Sequence, residues 1–579
     1  MVYAPVQTPP STDYRLRPVR RNWLKHLVVA TSFPPFRQGY TLLYRAIAWW
    51  VARYLAKDPH VGAIYLRGGG TRGELTPGVS DIDFMVVLHP DTQLPSYPLL
   101  RLGIFIPFGK RYKKLLTWLP MLDKGIGFVP ALFLAEQALT SHQRRYAFLE
   151  LQHSGQLLHG QDYIAQCMPE IPVPIKQDAT LACIEARWHW FFGNFVHQAG
   201  KPIDDISLNS MCYRYICDGL RFMEGFHSGT MNAKRAGVLN RHWSTFNKKD
   251  QDFAHQLNKL AQKGFRGKPN TVVESSLGFL LRQFDAFYGQ LAQDPFAQPL
   301  AALEHHLDFR CEEDFAPSPA TGLAQEILTH VQTHWPPHLY GAYLVKSTLF
   351  PIDDRQLLLQ VAPEHLPSIQ QLYELNALYE HLQKGITTTV RLFLLLPNAA
   401  YCLSTKGLFN AHLPCILSQA LSPDLFALLN IPQCQLLPGN YPVWSKPAFT
   451  AQAGWFYWMQ RLRYRQLLEL WDFKAPKPFR MVQQWWKWIQ LEVMYRGIAS
   501  GRLHYPLTLP AIGRVLAAVE LEQPDFFADM AQLYRRGVAG EPLENSSVLP
   551  QALSFTKQLD PQGHKFTGPP PWLGGSLIR

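Results

Sequence analysis

Between Tyr40 and Ala56 the apolar residues Leu43, Ile47, Val51 and Leu55 recur every four positions, which predicts a helix with one buried face. A short continuous apolar run, Gly62 to Leu66, follows and ends at Arg67 and the glycines Gly68, Gly69 and Gly70. That pattern predicts a buried strand running into a turn. A second apolar run, Phe84 to Val87, starts directly after Asp81-Ile82-Asp83 and predicts another strand. Helical spacing returns over Asp178 to Gln198, Leu208 to Phe226 and Ser276 to Leu291, and again over Ala448 to Phe473 and Phe479 to Ala499. The tryptophans of these segments, such as Trp188, Trp190, Trp455 and Trp485, are expected in helical cores rather than as base-stacking platforms. Proline pairs at Pro317 and Pro319, Pro336 and Pro337, and Pro476 and Pro478 mark linkers or helix stops, and the tail Pro569 to Gly575 reads as irregular.

Parts of this pattern occur twice. Gly62-Ala63-Ile64-Tyr65-Leu66 is echoed by Gly341-Ala342-Tyr343-Leu344, and Gln156-Leu157-Leu158-His159-Gly160 by Gln435-Leu436-Leu437-Pro438-Gly439, both at an offset of 279 residues. Lys124-Gly125 and Gln137-Ala138-Leu139 recur as Lys406-Gly407 and Gln419-Ala420-Leu421 at offset 282. Gly225 to Gly229 echoes Gly497 to Gly501, and Asp252-Phe253 echoes Asp525-Phe526. The echoes keep their order, which is the mark of a tandem duplication. The chain then divides into an N-terminal extension (1–39), a core (40–170), a helical domain (171–330), a second core (331–445) and a second helical domain with tail (446–579). A length of 579 residues is ample for several domains.

The chemistry-bearing residues cluster in the first core. Side chains alternate along a strand, so Asp81 and Asp83 face the same way, about 6–7 Å apart. Two such carboxylates form a clamp for a hard divalent cation, and are costly on an apolar strand without one. The glycines allow the backbone to approach a phosphate closely. Metal-assisted phosphoryl or nucleotidyl transfer is the chemistry these parts suit. The second core lacks them: Val345 to Pro351 has no glycine pair, and Ile352 to Leu359 puts Arg355 or Gln356 at the position of Asp83.

Gly68-Gly69, a spacer of eleven residues and Asp81-Ile82-Asp83 resemble the signature of the DNA polymerase β nucleotidyltransferase superfamily. Arg72-Gly73-Glu74 and Thr76 to Ser80 resemble its bacterial branch, which includes the antibiotic nucleotidyltransferases. The resemblance covers residues 40–165 or so. It implies an α+β fold: a mixed sheet flanked by helices, followed by a helical domain and, with the echoes, duplicated. It also implies two Mg²⁺ ions on Asp81 and Asp83, with ATP or another nucleoside triphosphate as substrate. Gly68 and Gly69 would contact the triphosphate through backbone amides. Ser80 would either add a hydroxyl there or cap a turn, and Arg72 would either neutralise pyrophosphate or pair with Glu74. A third acid is usual in the family; Asp123, before the apolar stretch to Val129, is the leading candidate and Glu150 the rival. His159, Asp204 and Asp205 read as a turn histidine and helix-capping acids.

The implied activity is transfer of a nucleoside monophosphate, AMP in the first instance, to a hydroxyl on a small molecule, a protein or an RNA end, with release of pyrophosphate. The alternative is a non-catalytic nucleotide-binding regulator or scaffold. The formal charge of +12 favours acidic partners, without the aromatic-basic interleaving of single-strand binders. Eight scattered cysteines with no metal-ligand spacing point to free thiols in a reducing compartment. No apolar run approaches the twenty or so residues of a membrane span, and a cytoplasmic protein is expected.

Overall fold

The computed structural model describes residues 23–90 (save 34), most of 106–131, 145–167, most of 204–293, 319–335, 339–346, 354–361, 367–382, 389–395 and 435–437, with a few isolated positions. The expected helices over 178–198, 448–473 and 479–499 and the proline-rich tail lie outside that set, apart from a few residues of the first.

The chain is α+β. In order, the main described elements are α1 (Trp23–Thr31), α2 (Phe36–Leu55), β1 (Val61–Arg67), a single helical turn α3 (Gly69–Arg72), β2 (Asp83–Leu88), α4 (Ile106–Trp118), β3 (Gly127–Pro130), α5 (Arg145–Ser154) and β4 (Gln156–Gly160). Then come α6 (Asp205–Ser228), α7 (Lys248–Gln262), α8 (Asn270–Gln293), α9 (Pro319–His334), β5 (Leu339–Lys346), β6 (Asp354–Val361), α10 (Ile369–Leu382), β7 (Thr389–Leu395) and β8 (Gln435–Leu437).

The first four strands form one sheet in the order β3-β2-β1-β4. The central pair is antiparallel, β4 is antiparallel to β1, and β3 is parallel to β2. Ile82, Phe84, Val86 and Leu88 point into a core closed by α2 and α4, where Val51, Leu55, Tyr112 and Leu115 meet them. Met85 and Val87, on the other face, are buried as well. A strand covered on both sides reads as a continuous apolar run, which is how Phe84 to Val87 looks in the sequence. Helix α6 starts on an N-cap in which Asp204 accepts the Ser207 N–H at 2.9 Å, and it packs against α8 through Gly219, which lies close to Leu280 and Phe284.

A second sheet has the order β7-β6-β5-β8, with the same strand directions as the first. Both sheets carry a bulge at the start of their first strand, between Val61 and Ala63 and between Leu339 and Gly341. Both carry another opposite their last strand, between Ile64 and Tyr65 and between Ala342 and Tyr343. These bulges align Ala63 with Gly341, one residue from the alignment of Gly62 with Gly341 that residue identity suggests. The correction follows from geometry: bulges fix strand register, whereas a shared glycine does not. Burial agrees, because Leu357, Leu359 and Val361 are fully buried and then stand where Phe84, Val86 and Leu88 do. Gln356 therefore occupies the place of Asp83, and Asp354 that of Asp81.

Candidate metal centre

Three carboxylates converge at one end of the first sheet. Asp83 opens β2 and lies opposite Arg67, the last residue of β1. Asp81 precedes it by two positions and shares its face. Asp123 is brought alongside by a parallel bridge between Ile82 and Leu122. In that bridge the Ile82 N–H donates to the Met121 carbonyl at 2.8 Å, and the Asp123 N–H to the Ile82 carbonyl at 3.1 Å. The buried Tyr112 hydroxyl of α4 donates to the Asp123 carbonyl at 2.6 Å, holding this short connection in place. One ligand oxygen from each of Asp81, Asp83 and Asp123 lies within 4.8 Å of the others, and all three residues are half-buried.

Like charges at this spacing raise one another's proton affinity. Burial first, and then the charges of Asp81 and Asp123, raise the Asp83 carboxyl from 3.8 to about 6, against the guanidinium groups of Arg67 and Arg214, which hold part of the rise back. A cation between the carboxylates would remove this repulsion, so the donor set, oxygen only and crowded with negative charge, fits Mg²⁺ or a similar hard ion. The three ligand oxygens lie within 4.8 Å of one another, and oxygens on opposite sides of such an ion are roughly 4.2 Å apart.

Gly68 belongs to the same site. Its φ of 75° and ψ of −150° fall in a region open essentially to glycine alone. A Cβ at this position would run into the Asp83 carboxylate. Gly69 opens the turn α3, and Gly73 closes it in the left-handed conformation, with φ 73°.

Other residues singled out in the sequence lie elsewhere. Arg72 is buried, donates to the Glu74 carboxylate at 3.0 Å and also pairs with Glu150. Glu150, on α5, is buried and also faces Arg67 at 3.4 Å. Its charge is thus matched by two guanidinium groups, and it is Asp123 that joins Asp81 and Asp83. The Ser80 hydroxyl accepts the Thr76 N–H at 2.9 Å, while the Ser80 N–H returns to the Thr76 carbonyl at 2.8 Å, so this serine caps the turn leading to Asp81. His159 is exposed on β4, opposite Ile64. Asp204 is a helix cap, bonded also to Lys25 at 3.2 Å.

Sequence reading missed two cationic groups beside the carboxylates. Arg214, on α6, approaches Asp81 at 4.0 Å, from a helix more than a hundred residues away in the chain. Arg67 carries a buried Nε with no protein partner. The alternation of β1 and β2 could have flagged Arg67; nothing local to Arg214 signals its approach. In the second sheet an amide, Gln356, stands at the place of Asp83, and the residue beside it in register is a base, Arg391.

No family model and no curated protein matches the chain.

Proposed function

We propose that the first half of the chain is a Mg²⁺-dependent nucleotidyltransferase that moves a nucleoside monophosphate, AMP from ATP as the first candidate, onto a hydroxyl acceptor and releases pyrophosphate. The observation that carries this reading is the convergence of Asp81, Asp83 and Asp123 within 4.8 Å beside a glycine that cannot bear a side chain. Asp81 and Asp83 would hold the metal, with Asp123 completing the set. Bound there, the ions would neutralise the triphosphate and lower the pKa of the attacking hydroxyl.

The chain's own groups supply the rest. Gly68 and Gly69 leave room for a phosphate against bare backbone. The unpartnered Nε of Arg67 and the partly exposed guanidinium of Arg214 offer positive charge to the anion. Arg72, tied to Glu74 and Glu150, serves by holding the glycine turn rather than by meeting pyrophosphate. Two sheets of the same order, direction and bulge positions support a tandem duplication. With Gln356 and Arg391 in register, the second half would be a copy that has lost the reaction and is kept for packing, acceptor contact or regulation.

The test is label transfer from each of four α-³²P-labelled nucleoside triphosphates, with Mg²⁺ and cell extract as the source of acceptor, using wild type beside Asp83→Ala. Label moved to RNA, protein or a small molecule by wild type alone supports the reading and sorts the acceptor. Nucleotide bound without transfer or pyrophosphate release by either protein would favour a regulatory, non-catalytic role.

A further inference from the structure

Helix α2 has two apolar faces and only one of them is covered. Tyr44, Ala48, Val51, Ala52 and Leu55 face inward and are buried. On the opposite face Leu42 is 65% exposed and Trp49 51%, with Leu43 and Trp50 beside them. The α1–α2 corner continues the patch with Phe33 and Phe36, exposed and in edge contact with ring centroids 5.1 Å apart. Helices of water-facing domains carry polar residues on the outer side, and an apolar patch of this kind marks a contact surface.

Charge identifies the contact. From Tyr14 to Lys57 the sequence holds nine Lys or Arg residues and no Asp or Glu. The first acid afterwards, Asp58, is buried and lies 3.7 Å from Arg111. On the outer face of α2, Arg45 and Arg53 stand among the leucines and tryptophans, and the Arg53 guanidinium lies 4.6 Å over the Trp49 ring. Long basic side chains among Trp, Leu and Phe, with no acid, are the composition of a helix that lies in a bilayer interface. A second copy of this face would bring like charges together. A nucleic acid would meet the charges but leave Leu42 and Leu43 in water. Since no described helix is long and apolar enough to cross a membrane, the contact is with a surface.

We propose that the outer face of α2, with the α1–α2 corner, docks the protein onto an anionic lipid bilayer. Trp49, Trp50, Leu42 and Phe36 would enter the headgroup region, with Arg45 and Arg53 at the level of the phosphates. This inference does not depend on the transfer reaction.

The test is co-sedimentation of the full-length protein with vesicles of phosphatidylcholine alone and of equal parts phosphatidylcholine and phosphatidylglycerol. Trp49→Ser/Trp50→Ser and Arg45→Gln/Arg53→Gln would be run alongside. All four positions are exposed, and circular dichroism checks that both variants keep their helix content. The expected result is salt-sensitive binding to the anionic vesicles only. Each lost arginine should weaken it about fivefold, from roughly 1 kcal/mol per basic residue, and the tryptophan pair should weaken it at least as much. Any of four results overturns the proposal: no binding to either vesicle, binding that both variants retain, a dimer that Trp49→Ser/Trp50→Ser dissolves, or nucleic acid bound through Arg45 and Arg53 while vesicles are ignored.

Discussion

Replacing Asp83 by Asn should strengthen the metal-free protein and weaken the metal-bound one. Asp83 sits against Asp81 and Asp123 with its carboxyl raised from 3.8 to about 6. A folded-state pKa above the unfolded one means that ionising the group opposes folding. The cost is absent below about pH 4, grows between about 4 and 6, and is complete above that. At roughly 1.4 kcal/mol per tenfold change, the displacement sets an upper bound of about 3 kcal/mol. Solvent access to a half-buried carboxylate reduces it to about 1–2 kcal/mol. Asp83→Asn removes the charge and keeps the shape. In EDTA at pH 7.5, its unfolding midpoint should therefore rise by a few degrees, at about 2–4 °C per kcal/mol for a domain of this size. The gain should disappear near pH 4. Saturating Mg²⁺ reverses the order, because a ligand at a hundred times its Kd adds about 2.7 kcal/mol to a protein that binds it. Differential scanning calorimetry over pH 4–8, with EDTA or Mg²⁺, reads both effects. A variant less stable than wild type in EDTA, or equally responsive to Mg²⁺, would refute the reasoning.

Gly68→Ala places a methyl group against Asp83 in a backbone conformation reserved for glycine; a loss of about 2–4 kcal/mol and at least a tenfold weaker Mg²⁺ affinity by titration calorimetry should follow. Glu150→Gln leaves Arg72 and Arg67 without their shared anion, and should cost about 2–4 kcal/mol in chemical denaturation while Mg²⁺ affinity stays within threefold of wild type. Tyr112→Phe removes the hydrogen bond to the Asp123 carbonyl and should cost about 1 kcal/mol, with a modest loss of Mg²⁺ affinity rather than its abolition. Asp354→Ala in the second sheet should leave label transfer within twofold of wild type, because register pairs Gln356 with Arg391 there; a large loss would show that the second half takes part in the reaction.

The local features were legible in the sequence. Leu43, Ile47, Val51 and Leu55 marked α2, which begins at Phe36 rather than near Tyr40. Glycine followed by Asp81-Ile82-Asp83 marked the end of β1 and the start of β2, because a two-residue period puts both acids on one face wherever a strand forms. The third carboxylate was harder. Asp123 and Glu150 each precede or sit within an apolar stretch, and only the bridge of Ile82 to Leu122 brings Asp123 to the site while two arginines hold Glu150 away from it. Arg214 could not be read at all: its approach to Asp81 depends on how α6 packs, a long-range matter with no local pattern. The outer face of α2 misleads a periodicity reading in the opposite way. Leu43 fits the apolar repeat yet is exposed, since the helix is apolar on both sides and spacing alone does not say which side is covered.

The most direct test of the central claim is anomalous diffraction at the manganese edge from crystals grown with Mn²⁺ and a non-hydrolysable ATP analogue. The account predicts density for one or two ions between Asp81, Asp83 and Asp123, the analogue's phosphates against Gly68 and Gly69, and no ion at Asp354. Manganese bound at another site, or analogue bound away from the glycine turn, would contradict it.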